Sequence, residues 1–129
     1  MLFTALLMPT PIALTQVNLK RLLQTLPTSR LQFSPHTVGV VIVGYTDRLY
    51  VLNARKGQTL AVEPELMGAR ASVSVLDRRG EELVRLDSND TGRTFSYTLP
   101  YSGDYYVLAY GDPTYHRYHF TLTVFTEGM

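Results

Sequence analysis

RTFSYTLPYSGDYYVLAYG, residues 93–111, holds two alternating runs joined at a corner. Phe95, Tyr97 and Leu99 recur at every second position as far as Pro100, and Tyr105, Val107 and Ala109 do so beyond Gly103. Alternation of period two marks a strand with one buried face, and the Ser102-Gly103-Asp104 corner between the runs is made of turn formers. The stretch reads as strand, corner, strand. Its second run carries a further signal, because Tyr106, Leu108 and Tyr110 make the opposite face apolar as well.

The same reading extends along most of the chain. Residues 37–45, 48–54, 59–65, 71–77, 82–86 and 115–125 are short runs rich in β-branched or aromatic residues. They are punctuated by Arg55-Lys56-Gly57-Gln58, Arg78-Arg79-Gly80, the Asp87–Gly92 loop and Gly111-Asp112-Pro113-Thr114. About eight strands at intervals of roughly ten residues, with no repeated βα alternation, predict an all-β fold, an antiparallel β-sandwich. One helical pattern stands apart: Val17, Leu19, Leu22, Leu23 and Leu26 recur at helical spacing and Pro27 stops them. The predicted organisation is residues 1–16 as a degenerate or truncated export signal or an ordinary start of chain, 17–30 as short helix and linker, and 31–126 as the sandwich. RLYVLNA, 48–54, is also apolar on both faces. A sandwich strand normally keeps one face wet, so either the N-terminal segment or a partner covers the outer side.

Composition narrows the function classes. The chain has 129 residues, 45% of them hydrophobic, and no cysteine, which fits a single domain without disulfide, thiolate metal site or thiol nucleophile. Twelve basic against eleven acidic residues give a net charge of +1. The arginines are scattered, and Arg78-Arg79 is followed at once by Glu81-Glu82, which argues against nucleic acid as partner. The apolar run at 2–8 is too short to span a membrane. An enzyme is not expected: Tyr101-Ser102-Gly103 lacks the strand-to-helix elbow of a serine nucleophile, and adjacent Glu81 and Glu82 diverge.

Taken in order, GVVIVGYTDRLYVLNARKGQTLAV, ASVSVLDRRGEEL and FSYTLPYSGDYYVLAYG, ending in YHFTLTV, resemble the bacterial pre-peptidase C-terminal type of β-sandwich. Within it they are most similar to the branch containing periplasmic inhibitors of goose-type lysozyme. The resemblance spans roughly residues 31–125 and implies a non-enzymatic, periplasmic or secreted binding domain. Lysozyme inhibitors of several kinds carry a Ser-Gly-x-Tyr or Ser-Gly-x-x-Tyr corner that enters the enzyme cleft, and Ser102, Gly103, Tyr105 and Tyr106 satisfy both spacings. The competing reading of the same letters is plain corner chemistry, with the sandwich serving as a structural or glycan-binding accessory module.

The candidate partner-binding residues are therefore Ser102, Gly103, Tyr105, Tyr106 and Tyr110, with Arg48, Arg117 and His116 as loop donors toward catalytic carboxylates. Nine tyrosines without a tryptophan suit a contact surface, and Tyr106 with Tyr110 offers an outward pair for a sugar ring or an apolar patch. The Tyr106/Leu108/Tyr110 face also offers a route to a homodimer in place of a monomer. His116 and His119 point to opposite faces of a strand, so no zinc site is expected. Cofactors are not expected beyond a weak calcium candidate at Asp87, Asn89 and Asp90, which supply about half of the oxygens calcium needs.

Overall fold

The computed structural model describes residues 16–32, 39–68, 70–112 and 117–126. The candidate export signal and His116 lie outside them, apart from Gln16. Two sheets face each other. The first has the order β1-β3-β8-β5-β6, from Thr28–Arg30, Arg48–Ala54, Gly103–Tyr110, Ser72–Leu76 and Glu82–Leu86. The second has the order β2-β9-β4-β7, from Gly39–Gly44, Tyr118–Phe125, Thr59–Pro64 and Phe95–Thr98. Every expected strand is present, and β1 is an addition. Its Thr-Ser-Arg sequence has no alternating apolar residue to betray it, yet it pairs parallel to β3 through Thr28↔Leu49 and Arg30↔Val51.

Between the sheets, Tyr50, Leu52, Leu60, Val62, Val73, Tyr105, Val107, Phe120 and Leu122 make the main core. Tyr118 anchors one end of it. Its ring is 1% exposed, its hydroxyl donates to the Thr46 carbonyl at 2.7 Å, and the Tyr50 hydroxyl stands 3.5 Å away. Gly44 is what lets the ring lie there: a Cβ at that position would stand 2.5 Å from the Tyr118 hydroxyl oxygen. Burial first, then the Tyr50 contact, push the Tyr118 phenol far above the usual tyrosine value. A raised pKa favours the neutral ring in the folded state, so its contribution is intact below pH ~10 and falls as pH rises beyond the unfolded value. Tyr118→Phe is expected to cost about 1–2 kcal/mol at neutral pH and to flatten the alkaline limb of the stability curve, both read by urea denaturation.

The outer face of the five-stranded sheet holds a second, smaller core. Leu49, Leu76 and Leu108 are 0–2% exposed, covered by Val17, Leu19, Leu22 and Leu26 together with Tyr106 and Tyr110. The cover is α1, Leu19–Thr25. Asn18 starts it by accepting from the Arg21 N–H at 3.1 Å, and Leu26 leaves it in extended geometry because Pro27 follows. The two-faced apolar strands β3 and β8 are thus explained by the chain's own N-terminal strap.

Candidate functional site

The corner between β7 and β8 is braced from behind at every residue. Leu99 exchanges backbone bonds with the β3–β4 turn, accepting from Gly57 at 2.9 Å and donating to Gln58 at 2.8 Å. The Tyr105 hydroxyl donates to the Tyr101 carbonyl at 2.7 Å and accepts from the Tyr101 N–H at 3.2 Å, the geometry of a tyrosine corner. The two rings stack at 4.9 Å, the Tyr101 hydroxyl accepts from the Arg78 N–H at 2.7 Å, and the Arg78 guanidinium lies 4.4 Å from the Tyr101 ring centre. Burial raises both phenols above their ordinary value.

Ser102 forms the tip. Its side chain is exposed, and its Oγ accepts from the Lys56 N–H at 2.9 Å, which ties the tip to the neighbouring turn. Gly103 follows at φ +140°, with nothing within 4 Å of where a Cβ would stand. Asp104 then receives both Arg30 nitrogens, at 3.1 and 2.9 Å, and Asn53 Nδ2 at 3.1 Å. The Arg30 hydrogen bonds, then that of Asn53, hold the Asp104 carboxyl below the usual aspartate value. A depressed carboxylate stabilises the fold above the unfolded pKa, and that contribution is lost as pH falls through the folded value. Arg30→Gln is expected to raise the Asp104 midpoint in a carboxyl-carbon NMR titration and to change stability little, because the pair is largely exposed and screened by solvent.

The sequence candidates fall into three groups. Ser102 and Gly103 stand at the corner, but Tyr105 is fully buried. It cannot touch a partner, which corrects the reading of it as a contact residue; it holds the corner from inside. Arg48, Tyr110 and Arg117 sit at the opposite end. In the β3–β8 register Gly103 faces Ala54 while Ala109 faces Arg48, about 20 Å further along the strand. There Arg48 donates to Ser29 Oγ at 2.9 Å, and Arg117 lies against Met67. Tyr106 and Tyr110 are half-buried parts of the core under α1, so the outward pair is largely spent on the strap. Asp87 and Asp90 each accept a backbone N–H in a reciprocal cap around the 3-10 turn Ser88–Asp90. Among the described residues no three His, Asp or Glu are placed to hold a metal.

The structure also brings together residues that their scatter in sequence hides. The β3–β4 turn carries Arg55 and Lys56, and the β5–β6 turn carries Arg78 and Arg79, all four exposed and all at the end where Ser102 projects. Two acids at this end are engaged: Asp77 is buried and accepts from the Arg79 and Glu81 N–H groups, and Asp104 is paired with Arg30. Glu81 lies half-buried in the β5–β6 turn itself. The available signal was topological, since alternate connections along an antiparallel sandwich share an end.

The fold is a two-sheet β-sandwich strapped by a helix, with a braced corner flanked by exposed cations at one end as its candidate site. Solved structures share this fold, among them three PliG inhibitors. PliG of Aeromonas hydrophila, a periplasmic lysozyme inhibitor of g-type lysozyme, matches at TM-score 0.60 and 21% identity over 76% of this chain and 96% of its own. A mutant of the Escherichia coli PliG inhibitor matches at 0.53 and 17% over 76% and 97%. The PliG inhibitor of Salmonella Typhimurium matches at 0.52 and 21% over the same shares. No protein-family model and no curated protein matches the chain. Among the described residues no helix is long and apolar enough to cross a membrane.

Proposed function

We propose that this chain is a non-enzymatic, exported binding protein of the pre-peptidase C-terminal type of sandwich that inhibits a goose-type lysozyme. In this reading the Tyr101–Asp104 corner enters the enzyme's cleft. The observation that carries it is an exposed serine on a rigidly braced tip, flanked by four exposed cations at the same end. A glycosidase cleft is acidic because its catalysis uses carboxyl groups. The Ser102 hydroxyl supplies a donor toward such a group, and Arg55, Lys56, Arg78 and Arg79 supply the complementary field that speeds and orients encounter. Bracing the tip before binding lowers the ordering cost of inserting it. The fold it shares with PliG inhibitors supports the same reading.

The test is complex formation with a goose-type lysozyme, followed by calorimetry. Ser102→Trp gives the exposed Lys56 N–H over to water but keeps the braces at Leu99, Tyr101 and Tyr105. With its bulky ring on an exposed tip, it is expected to retain the fold and abolish binding. Undiminished binding by that variant would remove the corner from the interface. A second reading, a glycan-binding accessory module, is favoured by the open groove between α1 and the β5–β6 turn. There Tyr106 stands among Asn18, Lys20, Arg78 and Arg79, an aromatic platform with polar donors. Binding of soluble peptidoglycan fragments, with no binding of the enzyme, would select it.

A further inference from the structure

The two sheets do not meet on the side where β6 and β7 are their outermost strands. Among the described residues β6 pairs with β5 and β7 with β4, each on one edge alone. Between them an apolar slot of about 140 Å³ reaches into the main core. Its floor is Leu60, Val62 and Val75, residues otherwise 1–2% exposed. Leu83 and Val84 of β6 form one wall, and Phe95 and Tyr97, two apart on β7, form the other. Ser96 completes the lining, and no charged residue takes part.

We propose that this slot is a binding site for a small uncharged aromatic ring. Its size suits one occupant: a volume of roughly 150 Å³ accommodates one benzene-sized molecule. Its chemistry disfavours a charged ligand, which would lose its hydration against Leu60, Val62 and Val75 with no charged residue in the lining to pair with. Phe95 and Tyr97 both line the slot and favour an aromatic guest over a saturated one, through edge and face contacts that an alkane does not make. Nothing in this site involves Ser102 or the basic turns, so it stands independently of lysozyme inhibition.

Toluene is the probe, titrated into the purified full chain with labelled Leu and Val methyl groups. Saturable shifts confined to Leu60, Val62, Val75, Leu83 and Val84 are expected. Cyclohexane should bind several-fold more weakly, and 1,3,5-triisopropylbenzene, too large for the slot, not at all. Val84→Phe, which places a ring of the protein's own at the mouth, should weaken toluene by about tenfold or more. Should that variant fail to fold, the size series on the unaltered chain decides alone. Absent, non-saturating or scattered shifts, or equal binding of the bulky arene, would overturn the proposal.

Discussion

Replacing Gly80 by valine is expected to peel the N-terminal strap from the five-stranded sheet and to cost on the order of 3 kcal/mol of stability. Gly80 is buried at φ +86°, its carbonyl accepts from the Val17 N–H at 3.0 Å, and a Cβ on it would collide with the Val17 carbonyl oxygen. The obstruction is backbone, which cannot rotate aside as a side chain would. Relieving it means breaking the Val17–Gly80 bond and the Gln16↔Glu81 bridge that fasten the start of the strap. Leu49, Leu76 and Leu108 then lose their cover. Each buried leucine is worth roughly 1.5–3 kcal/mol, so partial exposure of three reaches the stated figure. Gly57→Ala is the control: φ is +91° there too, but nothing lies within 4 Å of the new Cβ, so the conformational penalty of about 1 kcal/mol acts alone. Urea denaturation ranks the two variants, and amide exchange at Leu49, Leu76 and Leu108 localises the loss. Equal costs at Gly57 and Gly80 would show that the strap contributes nothing beyond glycine's backbone freedom.

A second large effect, on function, is expected from reversing the basic end. Lys56→Glu combined with Arg79→Glu should weaken inhibition of a goose-type lysozyme by about 100-fold, roughly tenfold for each charge reversed against an acidic cleft. Both side chains are exposed and their hydrogen bonds run through the backbone N–H groups, which the substitutions retain. Thermal stability should therefore hardly change, separating lost contact from lost fold. Added salt should weaken the unaltered complex more than the doubly reversed one, since screening acts on the attraction that the substitutions remove. Arg48→Glu, some 20 Å away at the other end of β3, should leave inhibition within about twofold.

Most strands are legible from short runs of β-branched and aromatic residues bounded by turn formers, and the stretch 93–111 adds alternation on both sides of its corner. β1 escapes this reading, since a three-residue edge strand of Thr, Ser and Arg buries no alternating side chain. The helical spacing of Leu19, Leu22 and Leu26 reveals an apolar face, and the second apolar face of β3 and β8 reveals a surface in need of cover. That the two belong together follows only once the chain is folded. The site is harder to read for a related reason. Ser102 and Gly103 announce a turn locally, but the cations around them come from turns more than twenty residues away along the chain. Arg48 and Arg117 look equally suitable in sequence, and the strand register alone sends them to the far end. Tyr105 illustrates the remaining ambiguity: a tyrosine beside a corner is either displayed or used as its brace, and the two bonds to Tyr101 settle it as a brace.

The most direct test of lysozyme inhibition through the basic corner is a titration of the purified chain into a cell-wall lysis assay. A goose-type lysozyme is the target, with hen-type and invertebrate-type enzymes as controls. The predicted result is stoichiometric inhibition of the goose-type enzyme alone, abolished by Ser102→Trp. Full lysis by the goose-type enzyme in the presence of a large molar excess of the chain would contradict it.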